Sequence, residues 1–148
     1  MRAKIGSVVE VDTMAGKAYV QYTHQCEYGG IIRVLQGFFE NSLLEQEVCQ
    51  LAQKPHQFIA IMPLKEAVNR KIFRVVADCS VPDFAKNHPL FRSETGDYEE
   101  YWMWDGEKEW FQKELSEEEK RYPLIEVWND TLLKERIAEG WRPEQEFE

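Results

Sequence analysis

Two runs near the start of the chain, Val8-Val9-Glu10-Val11-Asp12 and Lys17-Ala18-Tyr19-Val20-Gln21-Tyr22, are β-branched and aromatic, and Thr13-Met14-Ala15-Gly16 separates them. This pattern predicts an antiparallel hairpin in which Gly16 takes a positive φ. In its second strand Ala18, Val20 and Tyr22 share one side, while Tyr19, Gln21 and Thr23 share the other. The first, more apolar set is expected to face the core. Gly29-Gly30 interrupts the pattern before Ile31-Ile32-Arg33-Val34-Leu35, which reads as another strand.

The period then changes. Leu44, Val48, Leu51 and Ala52 follow at helical spacing, and Ser42 with Glu45 has the spacing of a capping box, so a helix is expected to open there and to stop at Lys54-Pro55. Phe58–Met62 and Ile72–Ala77 read as strands around a short helix over Leu64–Arg70, with Pro63 suited to its start. Residues 78–97 mix prolines, a glycine and polar side chains, and predict a surface loop anchored by Leu90-Phe91.

Tyr98–Trp104 and Glu107–Phe111 flank Asp105-Gly106, which signals a hairpin with a two-residue turn. In that register Trp104 faces Glu107, and Trp102 faces Glu109. Ser116 and Glu119 repeat the capping-box spacing and predict a short acidic helix ended by Tyr122-Pro123, and Leu124–Trp128 reads as one more strand. The last helix is expected from Asn129 or Asp130 to Gly140, with Trp128 and Leu133 placed as a hydrophobic staple. Strands and helices never settle into βαβα alternation. The expected fold is therefore α+β: a strongly bent, mainly antiparallel sheet of about six or seven strands with three or four short helices, in a single domain over residues 1–148.

Composition supports a packed globular chain, with 43% hydrophobic and 30% charged residues. No secretory leader or membrane-spanning run is visible, so a cytoplasmic location is expected. Cys26, Cys49 and Cys79 lie in three dissimilar contexts without CxxC spacing, and reduced thiols are expected, with Cys49 in the core.

Charge sharpens the picture more than composition does. Of the net charge of −9, residues 94–148 supply a balance of −11, with 18 acids against 7 bases. Such a field repels nucleic acid and anionic membranes and favours a basic protein partner. All five tryptophans lie in residues 102–141. One side of the late hairpin, with Trp102, Trp104, Glu107 and Glu109, joins rigid aromatics to carboxylates and suits an Arg- and Lys-rich partner. Glu117 and Glu118 in the neighbouring acidic turn extend that candidate surface, although tryptophans packed under a helix with solvated glutamates at the rim would give the same pattern.

Candidate chemistry is sparse. His24 and Cys26 share a strand side but have no evident orienting group or oxyanion donors, the three histidines and three cysteines lack metal-ligand spacing, and no phosphate-cradling glycine frame occurs. No catalytic residue, metal or cofactor is assigned. A pocket built from Tyr19, Tyr22 and His24, together with Trp102 and Trp104, is the alternative expectation, and would make the chain a small-ligand-binding or regulatory module. An enzyme built on His24 or Cys26 is a third reading, and it requires a carboxylate within hydrogen-bond reach.

The segments Gly6-Ser7-Val8-Val9-Glu10-Val11 and Lys17–Tyr22, the Ile31–Phe39 run, Trp102-Met103-Trp104-Asp105-Gly106 and Val127-Trp128-Asn129-Asp130 together resemble the small α+β immunity proteins of bacterial polymorphic toxin systems, in particular a tryptophan-containing family of them. The resemblance implies a cytosolic, non-catalytic inhibitor that binds one cognate toxin domain and blocks its active site. It implies no particular contact residue.

Overall fold

The structure, a computed structural model, describes residues 2–93 and 100–147. Tyr98 and Glu99, expected to open the late hairpin, and positions 94–97 of the expected surface loop lie outside the described residues. The fold is α+β, with eight strands in two antiparallel sheets and three α-helices among the described residues.

The first hairpin forms as its sequence predicts. Strand β1 (Ser7–Thr13) pairs with β2 (Gly16–Cys26) across Met14-Ala15, and the Thr13 hydroxyl closes the turn by donating to the Gly16 carbonyl at 2.7 Å. Strands β3 (Gly29–Val34), β4 (Phe58–Met62) and β5 (Arg74–Asp78) complete a five-stranded sheet in the order β4-β3-β2-β1-β5. The register breaks between Val8 and Val9 and again between Tyr22 and His24, and such irregularities bend a sheet.

Both faces of this sheet are covered. On the first, Val9, Val20, Tyr22, Ile32 and Ala60 pack beneath helix α2 (Leu64–Asn69), helix α3 (Asp130–Glu139) and the Trp128–Trp141 pair. On the second, Val8, Tyr19 and Ala77 lie under helix α1 (Glu45–Ala52), through Val48 and Ala52. The other half of that face, Ile31 and Ile61, is covered by Phe91 and Trp104 of the smaller sheet. Positions 18–23 of β2 are consequently all buried, so Tyr19, Gln21 and Thr23 face inward just as Ala18, Val20 and Tyr22 do. Alternation fails as a guide in a strand buried on both sides.

The smaller sheet comprises β6 (Phe91–Arg92), β7 (Tyr101–Trp104) and β8 (Glu109–Gln112). Arg92 is fully buried and donates from Nη2 to the carbonyls of Lys120 and Pro143, at 3.2 and 2.7 Å. It thereby ties this sheet to the C-terminal segment. Leu124–Trp128, expected as a strand, makes only two parallel bridges, Leu124 with Arg92 and Val127 with Ile61.

Local signals set most of the helix ends. The Asn129 side chain accepts the Leu132 amide at 2.8 Å, Gly140 closes α3 in the left-handed conformation, and Trp128 and Leu133 share the first core. The first capping box does not form: the helix starts two residues later, at Leu44, where Glu47 accepts the Leu44 amide at 2.9 Å but leucine offers no acceptor in return, and the Ser42 hydroxyl is hydrogen-bonded to Glu10 instead. The second box forms between Ser116 and Glu119, at 2.9 and 3.1 Å, but it encloses a single 3-10 turn, Glu119–Arg121, which Pro123 prevents from lengthening.

The expectation of three reduced thiols is overturned. Cys49 on α1 and Cys79, just beyond β5, form a disulfide with Cα atoms 5.2 Å apart, and only Cys26 is free. Helix α1 packs with Val48 and Ala52 against the sheet, which brings the neighbouring Cys49 over the end of β5. Cys49 is half-buried there rather than in the core. Among the described residues no helix is long and apolar enough to cross a membrane.

Candidate functional site

Asp105-Gly106 turns the chain as expected, but through four residues instead of two. The Asp105 carboxylate accepts the amides of Lys108 and Glu107, at 2.7 and 2.9 Å, and these bonds hold its pKa below the usual carboxylate range. Trp104 therefore pairs with Glu109, Met103 with Trp110, and Trp102 with Phe111. A slip of two residues leaves each side chain on its expected face. Gly106 has φ +101°, and a Cβ there would lie 2.6 Å from the His88 ring, so both backbone and neighbour exclude a larger residue.

The Trp102/Trp104 face is divided. Trp104 is buried, edge-on to Tyr28 at 5.3 Å and to His88 at 4.9 Å, with Phe91 beside it. Trp102 is half-buried and its ring centroid lies 4.3 Å from that of Phe111, which is 64% exposed on the edge strand β8. Glu107 and Glu109 are exposed beside them. Tyr28, 40% exposed, adds a phenol whose acidity is weakened by burial and then by the Glu27 and Glu109 carboxylates. Trp102, Phe111, Tyr28, Glu107 and Glu109 thus form an aromatic surface with acidic members, for which Trp104 is the buried support.

Glu117 and Glu118 belong to a different place. Their turn is held by Gln112, whose side-chain amide donates to Glu119 at 2.7 and 2.8 Å, and Gln112 points to the side of β8 opposite Phe111. Glu117 is exposed and paired with Lys120 at 3.1 Å, while Glu118 lines a cavity.

The tyrosine pocket does not exist. Tyr19 and Tyr22 are buried on opposite faces of the large sheet; the Tyr19 hydroxyl donates to Glu10 and accepts the Leu43 amide, both at 2.8 Å, and the Tyr22 hydroxyl bonds Gln25. The ring nitrogens of His24 lie 2.8 Å from the Thr23 hydroxyl and 2.8 Å from the Lys86 carbonyl, which are not the carboxylate that an imidazole base on Cys26 would need.

A cavity of about 580 Å³ opens instead on the second face, lined by residues of the sheet, the segment 84–90 and the C-terminal third. Thr23, Arg33 and Ile59 contribute its floor, and His56, Phe84 and His88 its walls. Sequence reasoning missed it, although the signal was present: Gln21, Thr23 and Arg33 are polar residues on a buried face. Among the described residues no group of three or more metal-ligating side chains occurs. Set against family models, curated proteins and solved structures, the chain matches none.

Proposed function

We propose that the chain is a non-catalytic protein-binding inhibitor, acting as the immunity proteins it resembles do, with a basic toxin domain as its partner. The observation that carries this reading is Phe111, 64% exposed on an edge strand and packed at a tilt against Trp102 beside Glu107 and Glu109. Exposed paired aromatics next to carboxylates supply apolar contact area, cation–π contact and charge pairing against Arg and Lys together. The acid balance of the C-terminal third would speed encounter with a basic partner.

The test has two stages. If the adjacent gene encodes a large protein with a C-terminal toxin domain, co-expression with that domain is expected to rescue growth, and absence of rescue removes the reading. For the partner so identified, Glu107→Lys with Glu109→Lys is expected to slow association about tenfold or more at low salt, with little effect in high salt. An association rate unchanged at low salt would move the interface away from this hairpin.

A further inference from the structure

Arg33 occupies an unusual position. It is 1% exposed, and its guanidinium makes four hydrogen bonds, all to uncharged acceptors: Nε to His56 Nδ1 at 3.2 Å, Nη1 to Gln21 Oε1 and to the Ala52 carbonyl at 2.7 Å each, and Nη2 to the Lys54 carbonyl at 2.6 Å. Among the described residues no carboxylate pairs with it. Guanidinium has five N–H donors, so one on Nη2 is left over. A buried cation without an anion is costly, and the carbonyls at the end of α1 offset only part of that cost. Desolvation accordingly lowers the Arg33 pKa to about 10.

The neighbours of Arg33 are also incompletely used. Because His56 Nδ1 accepts from Arg33, the ring proton of neutral His56 sits on Nε2, where it is a donor at the cavity wall. Burial, and then the Arg33 charge, lower the His56 pKa to about 4, which keeps the ring neutral at pH 7. His88 places Nδ1 2.8 Å from the Pro89 carbonyl, and its Nε2 is buried without a hydrogen-bond partner. Arg121 and Arg142, both exposed, line the same cavity with Glu118 and Glu144. In a chain of net charge −9, the formal charges around this cavity therefore sum to a positive value.

We propose that the cavity on the second face of the large sheet, between the segment 84–90 and the C-terminal third, binds a small organic anion, a carboxylate or a phosphate monoester, with its charged head toward Arg33 and His56. The remaining Nη2 hydrogen of Arg33 and the Nε2 hydrogen of His56 donate to the anionic oxygens, charge-assisted on the arginine side. The apolar body of the ligand lies on Phe84, which is 56% exposed and covers the guanidinium at 5.4 Å. A volume of about 580 Å³ suits a ligand of one or two rings. The site is separate from the exposed Phe111 surface, so either assignment stands without the other.

The experiment is a titration of the ¹⁵N-labelled full chain with 4-hydroxybenzoate and, separately, with phenyl phosphate, at constant ionic strength against a sodium chloride reference. Saturable shifts of the Ala85, Asn87 and Arg33 Nε resonances are expected with one of the two probes, which identifies the head group. Arg121→Glu with Arg142→Glu, both at exposed positions and checked for native melting, is expected to weaken that binding at least tenfold. His56→Phe, checked for native melting, is expected to do the same. Absence of saturable shifts with both probes up to about 20 mM overturns the proposal, as does equal affinity in the double arginine variant.

Discussion

The five-stranded and three-stranded sheets are stabilised in different ways. The larger one is buried on both faces, and its polar residues bond within it: Arg33 donates to Gln21 and to the end of α1, and Gln21 in turn donates to the Cys79 carbonyl at 3.1 Å. The smaller one has strands of two to four residues and leans on side-chain-to-backbone bonds, among them Ser93 Oγ accepting the Trp102 amide at 2.9 Å and Asp105 capping its own turn. Long ladders with two-sided burial give the first sheet its stability. The second has few residues to bury and leaves Phe111 in water, which is the form an interaction surface takes when a rigid scaffold carries it.

The contrast can be broken or sharpened by substitution. Trp128→Ala empties the centre of the first core, where Phe58, Trp141 and Arg136 pack around the indole, and is expected to cost about 3–5 kcal/mol in urea unfolding. Replacing both Cys49 and Cys79 with Ala opens a loop of 30 residues, and a loss of roughly 3–4 kcal/mol is expected, reproduced in the native chain by a reductant. A reductant without effect would show that the bridge adds nothing to the packing of α1 on β5. Gly106→Ala forces a side chain into the left-handed region and against His88, and about 1–3 kcal/mol is expected. Hydrogen exchange should place that last loss in residues 100–112 and spare β2 and β3. If β2 exchanges as fast as β8 in this variant, the two sheets unfold as one unit and the contrast is false.

What could be read from the sequence was local. Gly16 beside Thr13 fixes the first turn, and Asn129 with Gly140 fixes both ends of α3, because each acts within a few residues of itself. Asp105-Gly106 announced a hairpin for the same reason. The number of residues in its loop escaped, since the Asp105 carboxylate captures two amides beyond Gly106 and favours four residues over two. Residues brought together by packing were out of reach: Cys49 meets Cys79 only because α1 lies over β5, and Tyr19, on the side of β2 opposite Tyr22, is buried as well because α1 covers that face. The aromatic-acidic hairpin was visible as composition, but the burial of Trp104 and the exposure of Phe111 depend on how the small sheet overhangs the large one. The cavity floor was hidden by the assumption that one side of β2 faces water.

The first core also has a consequence for synthesis. It gathers residues from Ala3 to Trp141, and the cover over its strands arrives last, with Trp128, Leu133, Ile137 and Trp141. A chain that has formed only the five strands and α2 leaves uncovered the part of this face that lies beneath α3 and the Trp128–Trp141 pair. Truncation before Trp128 is therefore expected to yield aggregates rather than a smaller folded protein, which the soluble fraction on expression checks.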